Sequence, residues 1–269
     1  MLTFLFWNLG GRKRLDILAN LVQRHAVDIL LLAECNIPAG KVLERLNPKK
    51  NQFYFVPSGC QKITIFTRFA ADFFPQQGGG DDFTFRRLTL PNRSPELLVG
   101  IVHFPSKLRQ KQEDQIGYAV GFSRVLNNME ETVGHQRTIL VGDMNMNPYE
   151  DAVVMATGLH AVMTRKLAER PVRKVKFPSN PYFYNPMWSH FGDGKPTPPG
   201  TFFYSTPKQR ADFWNIYDQV LLRQELLPYF RNEDLRILHS DGSTSFMKDD
   251  VPDDSVASDH LPILFCLNL

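Results

Sequence analysis

The sequence predicts an α/β protein, because short apolar segments of strand length recur along the chain with helical segments between them. Leu2 to Trp7 and Val27 to Leu32 are almost continuously apolar and have the length of buried strands. Arg12 to His25, which separates them, carries its apolar residues on one helical face. Further strands of the same kind follow, so sheets and helices both contribute to the predicted core.

The composition is that of a globular protein with a mild excess of positive charge. Of the 269 residues, 43% are hydrophobic and 22% are charged, which excludes wholesale disorder. This length suffices for one large domain or two small ones. The net charge of +3 is in the direction that an anionic partner requires. Cys35, Cys60 and Cys266 stand among apolar residues and are interpreted as reduced core thiols.

The apolar N-terminal segment is interpreted as the first strand. It lacks a basic region, and its apolar run ends at Trp7, which is too short for a signal peptide or a membrane-spanning helix. No later segment reaches the length that a membrane-spanning helix needs. We therefore expect a cytoplasmic protein without membrane insertion.

The segment from Thr138 to Pro148 carries the first candidate site. A buried strand ends at Val141, Gly142 allows a sharp turn, and Asp143 and Asn145 follow at the exposed end of the strand. A carboxylate there can accept a proton or bind a cation, and a carboxamide can donate a hydrogen bond to an oxyanion. An ordinary turn rich in Asp and Asn is the alternative.

The same arrangement recurs at three other strand ends. Asn8 follows the first strand, Glu34 follows the second, and His103 follows the apolar segment from Leu97 to Val102. A turn-forming Asn and a hydrogen-bonded core His are the alternatives for two of them. A Glu after a run of leucines is costly to desolvate unless it meets a cation or a donor. The recurrence therefore indicates a shared polar site.

Local patterns predict several elements between these residues. Phe53 to Val56 and Lys62 to Thr67 are typical of a hairpin, and Gly78 to Asp82 is interpreted as a flexible loop. Alternating apolar residues predict a half-buried strand from Phe83 to Leu90. Helical spacing of apolar residues predicts a long helix from Lys107 to roughly Val133.

Basic residues that could bind phosphates fall in three groups, which are Arg86-Arg87, Lys107 to Lys111, and Arg165 to Lys176. Arg86 and Arg87 are expected near the surface. Lys107 and Arg109 lie beside His103 and are candidate substrate-binding residues, with a solvated helix face as the alternative.

The segment from Phe177 to Thr206 is rich in proline, glycine and aromatic residues. It is too proline-dense for regular structure and too aromatic for a passive linker, so we expect an ordered loop across one face. Trp188 and Tyr184 are candidates for stacking on a base or a ring. Packing of these rings onto the core is the alternative.

Two further segments carry candidate site residues near the C-terminus. Asp218 lies in the middle of a predicted strand from Ile216 to Leu222, where an unpaired carboxylate would be costly. A buried Asp beside a His orients the ring and stabilises its charged form. The natural partner is His260, which follows Ser258 and Asp259 ahead of the last strand. The acidic segment from Asp249 to Asp254 is interpreted as a solvated linker.

Taken in order, these motifs resemble the endonuclease/exonuclease/phosphatase superfamily, which has the deoxyribonuclease-I-like fold. The motifs are Trp7-Asn8, Glu34, His103, GDMN at Gly142 to Asn145, YDQVL with Asp218, and SDH at Ser258 to His260. The resemblance spans nearly the whole chain and implies a single domain from residue 1 to 269. It implies a four-layer sandwich in which two mixed β-sheets pack face to face between flanking helices.

The resemblance also implies roles for the individual residues. Glu34 would be the principal Mg²⁺ ligand, with Asn8 and Asp259 as metal or phosphate ligands. Asp143 would align and deprotonate the attacking water, and Asn145 would hold the phosphate oxygens. His260, held by Asp218, would contact the scissile phosphate, and His103 would be a second site histidine.

The chemistry of the residues agrees with this resemblance. Oxygen ligands such as Glu34 and Asp259 suit Mg²⁺ or Mn²⁺ rather than zinc, and no cysteine or histidine cluster has zinc spacing. The sequence also lacks a P-loop and a Rossmann fingerprint, which argues against nucleotide-driven transfer.

The sequence departs from the family pattern at two positions. Ala33 replaces the Gln that often precedes the metal-binding Glu, and Ile216 stands where Arg or Ser commonly precedes the His-orienting Asp. The sequence also does not identify an acid that partners His103. No proposed metal or phosphate ligand is lost through these departures.

The leading prediction is a Mg²⁺-dependent nuclease acting on DNA or RNA phosphodiesters. The alternative is a phosphatase or phospholipase-type phosphodiesterase of the same fold, acting on inositol phosphates or a sphingomyelin-like substrate. A membrane-acting member is expected to carry an exposed apolar hairpin or a secretion signal, and neither is evident from the sequence. A non-catalytic scaffold is the third hypothesis, disfavoured because every site acid is present. The choice between DNA and RNA, the choice between endonucleolytic and exonucleolytic cleavage, and the oligomeric state are left open.

Overall fold

The computed structural model describes residues 1–49, 52–90, 93–108, 110–172, 176, 179–207, 209 and 211–269. In this part of the chain the strands are β1 Leu2–Asn8, β2 Ile29–Ala33, β3 Tyr54–Val56, β4 Ile63–Thr67, β5 Gln76–Gly79, β6 Phe83–Leu90, β7 Arg93–His103, β8 Thr138–Asp143, β9 Ala161–Val162, β10 Phe183–Tyr184, β11 Phe202–Tyr204, β12 Phe213–Asn215, β13 Asp218–Arg223, β14 Arg236–Ile237, β15 Met247–Lys248, β16 Val251–Pro252 and β17 Ile263–Leu267. The α-helices are α1 Leu15–Arg24, α2 Ala39–Leu46, α3 Gln112–Val133, α4 Asp151–Val154 and α5 Arg165–Ala168.

The first large sheet brings the two ends of the chain together. Its strand order in the described residues is β14-β17-β1-β2-β4-β3. The first strand, β1, runs parallel to β2 and antiparallel to the last strand, β17, so that Phe6 lies opposite Ile263. Because an antiparallel partner begins where β1 ends, the residues just ahead of β17 lie beside Asn8.

The second large sheet has the order β5-β6-β7-β8-β13-β10-β9 in the same residues. At its centre β7 pairs in parallel with β8, and β13 pairs with β8 in the antiparallel direction. The registers place His103 and Asp218 on either side of Asp143. Three polar residues therefore stand side by side at one edge of this sheet.

The two sheets pack face to face, and helices cover their outer faces. Alternate residues of β7 and β8, such as Ile101 and Val141, lie in one core with Phe4 of the first sheet. The intervening residues, such as Leu140, pack instead against Phe122 of α3. Strand residues alternate between faces, so each central strand contributes to both cores. The predicted α/β sandwich of two mixed sheets flanked by helices is confirmed.

The prediction of a flexible loop from Gly78 to Asp82 is wrong in its first part. Gln76–Gly79 forms the edge strand β5, which pairs with β6. A side chain at Gly78 would come within 2.9 Å of the sulfur of Met129 in α3. Glycine therefore serves close packing against the helix at this position, and only the tertiary contact reveals this.

The prediction that Arg86 lies near the surface is also wrong. Its side chain shares the inward face of β6 with Leu88 and is 3% exposed. The guanidinium donates to the carbonyl oxygens of Phe74 and Pro57, and burial lowers the pKa of Arg86 to about 10. Arg87 is exposed, as predicted, and pairs with Glu96 at 2.7 Å.

Three other predicted boundaries differ from the structure. The long helix α3 begins at Gln112, so Lys107 and Lys111 precede it. Asp218 is the first residue of β13 rather than a residue in its middle. Asp249 and Asp250, predicted in a linker, form the turn between β15 and β16 with φ of +50° and +61°. Aspartate tolerates this left-handed conformation better than most residues do.

None of the helices in the described residues combines the length and apolar character that are needed to cross a membrane.

Candidate active site

The ends of strands from both sheets meet at one edge of the sandwich. In the second sheet His103, Asp143 and Asp218 stand on neighbouring strands. From the first sheet, Asn8 donates from Nδ2 to Oδ2 of Asp143 at 3.0 Å. This hydrogen bond spans 135 positions of sequence and joins the two sheets at the site.

Asp143 lies at the centre of this arrangement and is 1% exposed. Its Oδ1 accepts the backbone N–H of Asn145 at 2.8 Å. The Nε2 atoms of His103 and His260 lie 3.7 Å and 4.0 Å from its Oδ2. Burial raises the pKa of Asp143, and the nearby charge of His260 opposes that rise. Asp143 therefore binds a proton more strongly than a surface aspartate does.

The second buried acid, Asp218, holds the imidazole of His260. Its Oδ2 lies 2.8 Å from Nδ1 of that ring. Burial alone would lower the pKa of His260, but the facing charge of Asp218, together with Asp143, raises the pKa to about 10. The backbone is held as well, because the indole N–H of Trp7 donates to the carbonyl of His260 at 2.9 Å. The ring is therefore cationic and fixed in orientation.

Glu34 and His103 meet at the mouth of the site. Nε2 of His103 lies 3.2 Å from Oε1 of Glu34, whose side chain is 44% exposed. A hydrogen bond from His103 lowers the pKa of Glu34. Glu34 has φ of +48°, a conformation that is uncommon for a residue other than glycine. Such strain is often retained at functional positions.

No acid contacts the second ring nitrogen of His103 among the described residues. Its Nδ1 is buried without a hydrogen-bond partner there. Asp82 is the nearest acid along the neighbouring strand, and its carbonyl accepts the backbone N–H of His103. Its carboxylate is engaged by Lys62 and by the hydroxyl of Tyr118. Glu34 is therefore the acid that orients His103.

Asp259 approaches the site from the segment ahead of β17. A β-carbon at Gly10 would lie 2.6 Å from Oδ1 of Asp259, so only glycine leaves room for this carboxylate. Gly10 also has φ of +52°, and its backbone N–H donates to Oδ1 of Asn8 at 3.0 Å. Ser258 donates to the carbonyl of Asn8 and so ties this segment to β1.

The side chains at this edge fit a hard divalent cation. The carboxylates of Glu34 and Asp259 and the amide oxygen of Asn8 are oxygen donors of the kind that Mg²⁺ and Mn²⁺ prefer. Among the described residues, Asp143, Asp218 and His260 form a tighter buried group, with donor atoms within 4.8 Å of one another. In that group His260 and Asp218 already contact each other at 2.8 Å.

Asn145 faces the same edge in a strained conformation. It has φ of +50°, and its Nδ2 donates to the carbonyl of Phe104 at 2.9 Å. A carboxamide carries two N–H donors, so one remains for another acceptor. The structure thus brings together eight predicted site residues, which are Asn8, Glu34, His103, Asp143, Asn145, Asp218, Asp259 and His260.

The predicted substrate-binding residues have different surroundings. Lys107 pairs with Glu150, and its Nζ lies 5.2 Å above the ring of Tyr217 near the site. Arg109 lies outside the described residues. Trp188 packs against Tyr149, with ring centroids 6.4 Å apart, and against Phe191. Its ring therefore contributes to an aromatic cluster in the loop.

For Tyr184 the structure supports the alternative of packing onto the core, because its ring is 4% exposed. Its hydroxyl donates to Asn232, and Arg165 lies over the ring. Arg165 in turn donates to the carbonyls of Leu227 and Phe230, so this basic residue has a structural role. Arg173 and Lys174 of the same basic segment lie outside the described residues.

Sequence reasoning missed two aromatic residues beside His260. The ring of Phe202 lies 4.7 Å from that imidazole, and Tyr217 stacks on Phe202 at 5.4 Å. The structure also contains a partly exposed aromatic hairpin that was not evident from the sequence. The hairpin of β11 and β12 exposes 52% of Tyr204 and 48% of Phe213. The clustered aromatics at Phe202 to Tyr204 and at Phe213 and Trp214 were the available signal.

Two mixed sheets flanked by helices, with acids and histidines gathered at one edge, define a phosphoesterase of the deoxyribonuclease-I-like class. The profile of the Endonuclease/Exonuclease/phosphatase family matches residues 5–260, and the chain belongs to this family. The predicted family is therefore confirmed. No curated protein sequence matches the chain.

Solved structures with the same fold include two endonucleases and a TDP2 protein. The endonuclease domain of TRAS1, a telomere-specific non-LTR retrotransposon, is 16% identical with a TM-score of 0.56, covering 100% of this chain and 99% of that chain. An AP endonuclease from Archaeoglobus fulgidus is 14% identical with a TM-score of 0.56 over 100% of both chains. Humanized D. rerio TDP2 is 14% identical with a TM-score of 0.55, covering 98% and 97%. At these identities the likeness shows the fold alone.

Proposed function

We propose that this protein is a divalent-metal-dependent nuclease that hydrolyses phosphodiester bonds in DNA or RNA. The observation that carries the proposal is the position of Asp143, whose Oδ2 has one imidazole at 3.7 Å and another at 4.0 Å. The imidazole of His103 contacts Glu34, and the imidazole of His260 contacts Asp218. Such a set can take a proton from water and stabilise charge on a phosphate at the same time.

In the proposed reaction Asp143 accepts the proton of the attacking water. Its burial raises its pKa, which makes its carboxylate a stronger base. His260 is protonated, and its positive charge stabilises the negative charge on a nonbridging phosphate oxygen. Asp218 holds the ring in that orientation. Asn145 donates its remaining N–H to the phosphate. We assign to His103 the role of donating a proton to the leaving oxygen.

Glu34, Asn8 and Asp259 would hold the metal ion, Mg²⁺ or Mn²⁺. When bound, such an ion neutralises charge on the phosphate oxygens. Asn8 comes from the first strand, and Asp259 precedes the last one. We therefore assign residues 1–269 to one catalytic domain.

The substrate class is proposed from charge and from the similar structures. The net charge of +3 and the position of Lys107 near the site favour a polyanion. The similar structures include the endonuclease domain of a retrotransposon and an AP endonuclease. DNA and RNA are both included in the proposal.

The test compares end-labelled DNA and RNA oligonucleotides with inositol phosphates, in Mg²⁺, in Mn²⁺ and in EDTA. We expect metal-dependent oligonucleotide cleavage, and we expect Asp143→Ala to slow it by about 10² to 10⁴-fold. Asp151→Ala removes an exposed carboxylate nearby and is the matched control. Phosphate release from inositol phosphates without oligonucleotide cleavage would overturn the substrate class. Equal cleavage by Asp143→Ala would overturn the catalytic assignment.

A further inference from the structure

The hairpin of β11 and β12 stands apart from both large sheets and adjoins the candidate active site. Five of its six strand residues are aromatic, which is unusual for a surface hairpin that adds nothing to either large sheet. An isolated β-bridge pairs the backbone of Phe202 with that of His260, so the hairpin begins beside His260. The hairpin is therefore a wall of the site.

One face of this hairpin carries rings outward from His260. Phe202 lies 4.7 Å from the imidazole, and Tyr204 follows at 6.5 Å from Phe202 with its ring within 13° of parallel. Phe213 is paired with Tyr204 across the hairpin, and its ring stacks on Phe203 at 6.1 Å. About half of each outer ring is exposed, at 52% for Tyr204 and 48% for Phe213. The outer rings are available to a ligand.

Folding requirements do not account for the exposed position of Phe213. It has φ of +56°, a conformation that bulky residues rarely adopt, and the amide of Asn215 donates to its carbonyl at 3.1 Å. Its ring stacks on Phe203 of the same hairpin at 6.1 Å and remains 48% exposed, so burial in the main core does not offset the cost of this backbone conformation. Such strain is characteristic of functional sites.

The polar surroundings of the platform fit an anionic ligand. Tyr217 stacks on Phe202 at 5.4 Å. The ammonium of Lys107, which also pairs with Glu150, lies 5.2 Å above the ring of Tyr217. A cation over an aromatic ring beside a phosphate site can bind the sugar-phosphate backbone while neighbouring rings contact bases. The chain from residue 205 to 212, which connects the two strands, has the polar sequence STPKQRAD.

This connecting sequence argues against insertion into a lipid bilayer. A hairpin that enters a membrane with its tip must bury the residues of the tip, and charged residues are costly there. Two basic residues and one acid lie in this connection. Basic residues favour a polyanion instead.

We infer that the aromatic hairpin of β11 and β12 is a stacking platform for unpaired bases next to the scissile phosphate, with Phe202 and Tyr204 on one face and the exposed ring of Phe213 beside Phe203. The substrate class is accordingly single-stranded nucleic acid, or a duplex with an unpaired end. In a duplex the base faces are covered by neighbouring bases, whereas an unpaired base can lay its face on an aromatic ring. This inference rests on the proposed nuclease function and narrows its substrate.

The test is binding of a fluorescein-labelled 12-mer in EDTA, measured by fluorescence anisotropy with single strands and with a blunt duplex of the same sequence. We expect the single strand to bind more tightly than the duplex. The double variant Tyr204→Ala/Phe213→Ala should weaken single-strand binding at least about tenfold and leave duplex binding unchanged. Both side chains are exposed, so circular dichroism and the melting temperature should match those of the wild type.

Matched variants separate stacking from loss of apolar surface. Tyr204→Phe/Phe213→Tyr keeps both rings and should restore binding. Tyr54→Ala removes an aromatic ring that is 41% exposed on the edge strand β3, remote in sequence and in a different sheet, and should have no effect. An unaltered affinity in Tyr204→Ala/Phe213→Ala would overturn the inference, as would tighter binding of the blunt duplex.

Two further measurements distinguish the possible failures. Cosedimentation with phosphatidylcholine and phosphatidylserine vesicles that is lost in Tyr204→Ala/Phe213→Ala, with no loss of oligonucleotide binding, would identify a lipid surface and overturn the platform for bases. The wild type and the double variant could both cleave single strand and duplex at equal rates in a metal-dependent reaction. This result would overturn the base-stacking platform and leave the nuclease proposal intact. Absence of cleavage with single-strand binding that depends on the two rings would overturn the nuclease proposal alone.

Discussion

The carboxylate of Asp218 lies 2.8 Å from Nδ1 of His260, and this contact links the second sheet to the segment that precedes the last strand of the first. The other carboxylate oxygen of Asp218 is buried without a hydrogen-bond partner among the described residues. The charge of this acid is therefore directed at the imidazole, and its partner lies 42 positions away in the sequence.

We predict that Asp218→Asn lowers kcat by about 10² or more while KM changes little. The amide keeps the size of the side chain but not the charge that stabilises the imidazolium. Steady-state cleavage of an oligonucleotide measures the split between kcat and KM. The control is Asp241→Asn. Asp241 lies in a separate turn, where its carboxylate accepts the backbone N–H groups of Ser243 and Thr244. An unchanged kcat would show that the charge of Asp218 is not needed.

Glu34→Gln should abolish stabilisation by Mg²⁺. A ligand that binds only the folded state at one hundred times its dissociation constant stabilises it by about 2.7 kcal/mol, so saturating Mg²⁺ should raise the melting temperature of the wild type. The neutral amide is a weaker ligand for a hard cation. Differential scanning fluorimetry across a Mg²⁺ series measures the effect, with the exposed Glu44→Gln of α2 as control. An equal shift in Glu34→Gln would remove Glu34 from the metal ligands.

Gly142→Ala should destabilise the protein by at least about 3 kcal/mol or prevent its folding. Gly142 has φ of +148°, and a β-carbon would lie 1.9 Å from the carbonyl oxygen of Val102 on the neighbouring strand. The strand pairing next to Asp143 cannot open without moving the site. Urea denaturation of the purified variant measures the free energy of unfolding.

The matched glycine for this comparison is Gly117, inside α3, where a β-carbon would have no atom within 4 Å. We expect Gly117→Ala to stabilise the protein by about 0.5 to 1 kcal/mol, because alanine loses less backbone entropy in a helix. Similar losses of stability in both variants would contradict the account given for Gly142.

Removing one partner of the buried pair Arg223 and Glu130 should cost about 3 to 5 kcal/mol. Arg223 Nε lies 2.8 Å from Glu130 Oε1, and the side chains are only 1% and 3% exposed. Glu130→Ala leaves the guanidinium buried without a counter-charge, and denaturation in urea measures the loss. The exposed pair of Arg231 and Glu233 provides the comparison. Glu233→Gln should lower the free energy of unfolding by less than about 1 kcal/mol. Equal losses in the free energy of unfolding would show that burial does not determine how much an ion pair contributes to stability.

Stability should fall in acid partly through His190. Burial, aided by the charge of Lys195, lowers the pKa of His190 to about 4, whereas an unfolded histidine has a pKa near 6.5. The unfolded chain therefore binds the proton first, so this contribution is complete above about pH 6.5 and is lost as the pH falls through 4. Between pH 7 and 4.5 the loss should be about 2 to 3 kcal/mol.

Unfolding of His190→Gln at both pH values tests this contribution. The variant cannot take up the proton, so its free energy of unfolding should fall by about 2 to 3 kcal/mol less than that of the wild type. The exposed His239→Gln should behave like the wild type. A pH dependence in His190→Gln equal to that of the wild type would refute the assignment.

The strands and the residues at their ends follow from local sequence. An apolar run of strand length that stops at Asn8, Glu34, His103 or Asp143 already indicates that a polar side chain stands at the edge of a sheet. Their order along the chain was enough to predict the family and the sandwich, and both are confirmed. The catalytic and metal-binding roles of these residues stay predictions.

Other features depend on contacts that local patterns do not contain. Arg86 and Arg87 are neighbours with the same chemistry, yet one is buried under the carbonyls of Phe74 and Pro57 and the other is exposed. Glycine in β5 was interpreted as a loop because its packing partner, Met129, is about fifty positions away. In both cases the deciding neighbour is distant in sequence.

By itself the sequence determined which residues form the central strands, which polar groups end them and to which family the chain belongs. Only the tertiary structure decided that Asp143 contacts Asn8 from the other sheet and that the ring of Phe202 packs against His260. The physical reason is that hydrophobic periodicity is a property of neighbouring residues, whereas distances between side chains depend on strand register and on the packing of one sheet against the other.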